Sequence, residues 1–275
     1  MAEGRNEKWI DELILDINRT EPFALPKHRA IPPRRNTVMS ILSNIGYLMF
    51  STLSPLEAEK IQSQKALAEQ LYFQIKDCLF ELGFEDISAL TRSIMLEIPD
   101  IKTMLLDDAE SILRGDPAAY SIEEIIVCYP GFLATMIYRI AHVFYLFDIG
   151  FLPRMMTEIA HTMTGIDIHP AADIGKELCI DHGTGIVIGE TSVIGDRVKI
   201  YQGVTIGAKS IHLDTEGKMI KGKKRHPTIG NDCIIYSGAT ILGGDTVIGD
   251  GCVIGGNVWL THSVSPGHTV YYKDK

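Results

Sequence analysis

The sequence predicts an α+β chain in two parts, an all-helical domain over residues 1–165 followed by a parallel β-solenoid over residues 166–275. Three observations predict it. From Ile168 onward an aliphatic residue returns every six residues; before Gly165 the apolar residues fall at helical spacing; and one long polar stretch, 207–227, interrupts the six-residue period.

The period runs Ile168, Ile174, Ile180, Ile186, shifts by two, and continues Ile188, Ile194, Ile200, Ile206. After the polar stretch it resumes as Ile229, Ile235, Ile241, shifts by one, and ends Ile248, Ile254, Leu260, with Cys233, Ala239, Cys252 and Val258 at the small repeat position. A fixed short period means stacked coils, here triangular ones of about 18 residues with the aliphatic residue pointing inward. Glycine beside it, as in Ile174-Gly175 and Ile194-Gly195, tolerates the backbone of a tight corner. Coils of this kind leave outer faces to cover, so a homo-oligomer is expected, with Trp259 filling or flanking the final coil.

In the first part, Trp9, Ile10, Leu13, Ile14 and Ile17 share one face of an amphipathic stretch. The proline-rich run 21–35 cannot sustain a helix and reads as an arm. Further helices are expected near 37–51, 55–82, 98–113, 121–129, 132–147 and 151–163, with Asp116-Pro117 as a cap and first-turn pair. Tyr138, His142 and Tyr145 lie at helical spacing and read as packing groups.

With 26 basic against 35 acidic residues the formal net charge is −9, which argues against nucleic acid as a partner. Five cysteines at scattered spacings read as buried thiols in a reducing compartment, the cytoplasm. The amino terminus lacks the apolar core of a signal peptide, and the apolar stretch Phe132–Phe147 is too short for a membrane span and contains Arg139 and His142.

Chemistry is expected where the repeat breaks. The excursion 207–227 carries Lys209, Lys218, Lys221, Lys223, Lys224 and Arg225. Such a basic stretch is either a solvated loop or a seat for an anionic, phosphate-bearing ligand. A second break pairs Asp167-Ile168-His169-Pro170 with Asp181-His182-Gly183-Thr184-Gly185. Counted along the coil, Asp167 and His182 fall near one corner in adjacent coils. A carboxylate on one imidazole nitrogen makes the other a base suited to hydroxyl activation, although a purely structural Asp–His pair fits the same spacing.

Together with Arg114-Gly115-Asp116-Pro117-Ala118, Tyr138-Arg139-Ile140-Ala141-His142, Gln202-Gly203-Val204-Thr205-Ile206-Gly207 and Arg225-His226-Pro227, these segments carry a resemblance. The span from Asp108 to Pro266 is similar to the serine O-acetyltransferases of the hexapeptide-repeat acyltransferase superfamily. The resemblance implies a left-handed parallel β-helix and transfer of acetyl from acetyl-CoA, as co-substrate, to the L-serine hydroxyl. The products would be CoA and O-acetyl-L-serine, in the first step of cysteine biosynthesis, with no metal required. It implies His182 as general base and Asp167 as its orienting partner. Asp108 and Asp181 would hold the serine ammonium, and Arg225 with His226 the carboxylate. Gly207, Ala208 and Lys209 would contact acetyl-CoA, and backbone amides around 203–208 would be oxyanion donors.

Ala208 departs from the family's usual second glycine, and the loop is longer than in the best-known members. The resemblance also implies a homotrimer or a dimer of trimers. The family's terminal isoleucine is missing from the tail Tyr271-Tyr272-Lys273-Asp274-Lys275, so no stable complex with O-acetylserine sulfhydrylase is expected. The alternatives are a related acetyltransferase with another hydroxyl acceptor, a gamma-class carbonic anhydrase with three converging histidines on zinc, and a non-catalytic solenoid.

Overall fold

The computed structural model describes residues 32–56, 63–210, 215, 217, 218, 220 and 222–272. The amphipathic stretch around Trp9, most of the 21–35 arm, and His212 and Lys221 lie outside the described residues.

Helices α1 (Arg35–Phe50), α2 (Gln64–Glu81), α3 (Ile87–Leu96), α4 (Ile98–Gly115), α5 (Ile122–Cys128), α6 (Pro130–Leu146) and α7 (Leu152–Thr164) form the first part. Their ends follow local chemistry. The side chains of Ser63 and Ser121 accept from Ala66 N–H and Glu124 N–H, at 3.2 and 3.1 Å, to cap α2 and α5. Prolines open α4, α6 and α7 in the first turn, where no intrahelical N–H is needed. Gly165 closes α7 with φ +71°, a left-handed cap.

Three expectations change. The helix expected near 55–82 starts at Gln64, with Ser63 in extended conformation before it. Helix α3 has no counterpart in the sequence reading, because only Thr91 and Ile94 of its ten residues are buried and the apolar stripe is thin. Asp116 is not the N-cap of the next helix: Ser121 caps α5, while Asp116 ends α4 as its C-cap and closes a turn by accepting Ala118 N–H at 2.8 Å.

Among the described residues from Asp167 on, short strands β1 (Asp167–Ile168), β2 (Asp173–Ile174), β3 (Cys179–Asp181), β4 (Val187–Ile188), β5 (Val193–Ile194), β6 (Lys199–Tyr201), β7 (Thr205–Gly207), β8 (Thr228–Ile229), β9 (Ile234–Ile235), β10 (Thr240–Leu242), β11 (Val247–Ile248), β12 (Val253–Ile254), β13 (Trp259–Leu260) and β14 (Thr269–Val270) form three parallel sheets, ordered β1-β4-β7-β10-β13, β2-β5-β8-β11 and β3-β6-β9-β12-β14. These are the three faces of the predicted triangular β-helix. The periodic residues from Ile168 to Leu260 are buried inside it, each contributing roughly 1.5–3 kcal/mol of hydrophobic stabilisation. The register shows what the shifts in period mean. Asp167 (β1) pairs with Val187 (β4), Val187 with Thr205 (β7), Thr205 with Thr240 (β10), and Thr240 with Trp259 (β13). Measured against the 18-residue step from Val187 to Thr205, the first coil holds two additional residues, at the His182 corner.

Helix α6 joins the two parts. Its Phe132, Met136 and Phe144 enter the helical core, while Ala134 and Tyr138 enter the solenoid core, and the Tyr138 hydroxyl donates to the Ala172 carbonyl at 2.6 Å. No single described helix is long and apolar enough to cross a membrane; α5 and α6 pass that test only together and are bent by 76°.

Candidate active site

The two-residue insertion makes the His182 corner unlike its neighbours. At the regular corner of this edge the left-handed backbone position is held by Gly165, Gly185, Gly203, Gly238 and Asn257. His182, at φ +57°, lies outside that column. Gly183 N–H donates to Asp181 C=O at 2.7 Å, a three-residue turn centred on His182. Gly183 itself is at φ +85°, and a Cβ there would lie 2.5 Å from Ile166 Cδ1, so only glycine fits. A left-handed non-glycine residue costs of order 1–3 kcal/mol, a strain typical of functional sites. It presents the imidazole to solvent with its side chain 74% exposed.

Two acidic groups converge here, one from the solenoid and one from the helical part. Asp181 Oδ1 lies 3.7 Å from His182 Nε2, and the other Asp181 oxygen is 3.2 Å from Lys199 Nζ on β6. Asp116, on the connection after α4, accepts the Tyr129 hydroxyl at 2.7 Å. The Ala118 N–H, the Tyr129 hydroxyl and the positive charge of Lys199 hold the Asp116 carboxyl below the usual range, and the His182 charge acts on it too. Burial opposes the Lys199 charge, but Tyr201 and Asp181 outweigh it and raise that lysine's pKa. The bond to Asp116 pushes Tyr129 up to about 12.

Asp116 is the acidic residue that sequence reasoning missed. Its signal lies in the Arg-Gly-Asp-Pro-Ala segment, where the Asp-Pro pair has the pattern of a cap and first turn. Asp108 is elsewhere: it is 0% exposed, bonded to Arg139 through Nε at 2.6 Å and Nη2 at 2.8 Å, and accepts Leu178 N–H at 2.8 Å. Burial opposes the Arg139 charge, yet the adjacent Asp108 carboxylate raises its pKa, so it stays a guanidinium. Asp108 is thus a clamp between α4, α6 and the solenoid, out of reach of a ligand ammonium.

Asp167 also departs from expectation. Its donor atom groups with those of Glu158 and His161 within 4.8 Å. Among the described residues no hydrogen bond or ion pair joins it to His182. The inserted residues carry His182 away from the position that counting along a regular coil gives it.

Arg225 and His226 sit at a different corner, between β4 and β5. Thr191 Oγ1 accepts both Arg225 N–H at 2.9 Å and His226 N–H at 3.1 Å, which fastens the end of the long loop. Arg225 is paired with Glu190, whose pKa falls because this pairing outweighs burial. His226 is only 7% exposed and receives Thr191 N–H on Nδ1 at 3.0 Å, so in its neutral form its proton sits on Nε2. Its ring edge lies where a Gly189 Cβ would come within 2.2 Å, so the ring is seated in the wall instead of facing a ligand. Burial, helped by the Arg225 charge, lowers its pKa from 6.5 to about 4. The folded state therefore prefers neutral His226, and the stability so gained is complete above about pH 6.5 and lost as pH falls toward 4. Melting temperature should fall across that window, and the slope should flatten in a His226→Asn variant.

The loop end also forms a cleft of about 250 Å³, lined by Lys209, Ser210, Lys223, Lys224, Arg225, Gly243, Gly244 and Asp245. Its four cations against one carboxylate suit an anion. Gly207 ends β7 beside it, paired with Leu242, and Ala208 follows in the chain. Of the suggested oxyanion donors, Gly203 N–H already donates to Thr184 and Thr205 N–H to Ala239, both at 2.9 Å. Neither is free in the single chain.

No family model matches the chain. Among curated relatives, a plasmid serine acetyltransferase of Synechococcus elongatus is 54% identical over 180 residues, 66% of this chain but only 56% of that protein's own length. The serine acetyltransferase of Bacillus subtilis is 44% identical over 167 residues, 61% of this chain and 72% of the relative. The solved structure of Entamoeba histolytica serine acetyltransferase 1 in complex with L-cysteine superposes with a TM-score of 0.72 at 34% identity, covering 86% of this chain and 99% of that one. A helical segment clamped onto a hexapeptide β-helix, with these identities along most of its length, has one reading: the chain belongs to the serine acetyltransferase family.

Proposed function

We propose that the chain transfers acetyl from acetyl-CoA to the hydroxyl of L-serine, giving O-acetyl-L-serine and CoA. The observation that carries this is the corner at which His182, exposed and lifted off the regular coil, stands beside the Asp181 carboxylate, with the Asp116 carboxylate within reach of its charge. A base next to two carboxylates suits an acceptor with a hydroxyl two carbons from an ammonium group.

In the proposed mechanism Asp116 and Asp181 hold the serine ammonium, and a His182 nitrogen takes the proton from serine Oγ. That oxygen attacks the thioester carbonyl carbon, and the carbonyl electrons move onto oxygen. Their return breaks the carbon–sulfur bond, and the imidazolium gives its proton to the departing CoA thiolate. Asp167 is kept as the orienting carboxylate, met when substrate closes the site, since catalytic hydrogen bonds often tighten only in the complex.

The serine carboxylate is assigned to Arg225, which sits at another corner of the same chain. We therefore propose a homotrimer in which one copy's His182 corner faces the next copy's Arg225 corner. The outward apolar residues Val187, Val193, Val247 and Trp259, 37–68% exposed, are consistent with side-by-side packing of solenoids. The basic cleft beside Lys209 is assigned to the CoA phosphates, with Gly207 and Ala208 along the approach. Four of the five free cysteines are buried, in keeping with a reducing cytoplasm. L-cysteine, which carries the same ammonium and carboxylate as serine, is proposed as a competitor at this site.

Among the described residues the grouping with metal-ligand spacing is Glu158, His161 and Asp167, not the three histidines that a carbonic anhydrase of this fold requires. The test is thiol release from acetyl-CoA with L-serine, homoserine and threonine in parallel. Release with serine alone is expected; turnover only of another acceptor would overturn the serine assignment while leaving His182 as base.

A further inference from the structure

Lys199 takes no part in the mechanism above, yet its ammonium is the most closely held cation at the corner. With its side chain 16% exposed, it donates to the Gly115 carbonyl at 2.6 Å and lies 3.2 Å from Asp181 Oδ2. It also sits 4.6 Å from the centre of the Tyr201 ring, which stacks on Tyr236 at 5.1 Å with 13° between planes. Gly115 is the last residue of α4 and directly precedes Asp116. A Cβ at Gly115 would come within 3.1 Å of Cys179 Sγ and 3.5 Å of Lys199 Nζ, so the bare backbone lets the lysine reach that carbonyl.

One side chain from β6 therefore joins the helical part just before Asp116 to the acid beside His182. Two carboxylates brought to one corner repel, and without a counter-charge they separate or share a proton. An internal ammonium removes that repulsion and leaves the Asp116–Asp181 pair with one net negative charge, the complement of a single substrate ammonium. The aromatic face of Tyr201 holds the lysine in place without neutralising it.

Resting on the serine reading, we propose that Lys199 is a positioning residue for the acceptor's ammonium group. It fixes the spacing of Asp116 and Asp181 across the junction of the two parts of the chain and matches their charge to one cation.

The test compares K199Q and K199R with the wild-type full chain. Glutamine can still donate to the Gly115 carbonyl but carries no charge; arginine keeps the charge. K199Q is expected to raise the KM for serine about tenfold, the scale of a lost charged hydrogen bond. Its kcat should stay within about twofold, and its KM for acetyl-CoA and melting temperature should be unchanged. K199R is expected to hold the serine KM close to the wild-type value. An unchanged serine KM in K199Q overturns the role. A fall in melting temperature with both KM values rising together would mark a merely structural lysine and overturn it too. If the wild-type protein itself does not turn over serine, the acetyltransferase reading fails instead, so the two failures are distinct.

Discussion

Replacing His182 with alanine is expected to lower kcat for acetyl transfer to serine by about 10²–10⁴, the usual contribution of a positioned general base. The Kd for CoA and the melting temperature should stay at wild-type values. The exposed imidazole, bonded to nothing within the solenoid core, leaves packing intact when removed. Its left-handed backbone is also no easier for histidine than for asparagine, which tolerates φ above zero. His182→Asn thus separates chemistry from strain: the turn should be kept and the base lost. Thiol-release kinetics on both variants check this, and activity within tenfold of wild type in both would remove His182 from the mechanism.

The periodic residues of the sequence carried the fold almost whole, because a six-residue period has one compact solution and each isoleucine repeats the same burial. The interruptions were harder to read. The shift of two at Ile186–Ile188 marks the place where His182 is lifted off the coil, yet counting along an unbroken coil put Asp167 beside it. The register instead pairs Asp167 with Val187, and its carboxylate lies with Glu158 and His161. Only three-dimensional packing reveals that α7 brings those two residues to β1. Likewise His226 carries a polar ring that a sequence invites one to aim at substrate. The ring fits against Gly189 and Thr191 because the loop returns there, a contact between residues 35 apart that no local pattern encodes.

Asp108 and Asp116 present the sharpest case, since each is an acid near the end of α4 and only burial tells their roles apart. Asp108→Ala leaves the Arg139 guanidinium, 4% exposed, with no counter-charge, and breaking a buried pair in this way typically costs about 3–5 kcal/mol. The loss should appear as a melting temperature lower by many degrees, whatever the substrate. It should be milder when both partners are replaced by apolar residues of similar volume, because the penalty comes from the stranded charge. Asp116→Asn should behave in the opposite way. Its carboxylate bonds a turn amide and a tyrosine hydroxyl at the surface, contacts that an amide oxygen can partly keep. The melting temperature should therefore change little while the KM for serine rises about tenfold or more, as the ammonium loses a charged partner. Thermal melts and steady-state kinetics on the two variants decide the matter. A stable Asp108→Ala protein with a raised serine KM, beside an Asp116→Asn enzyme of ordinary kinetics, would return the ammonium to Asp108 and require the α4–α6 clamp to open when substrate binds.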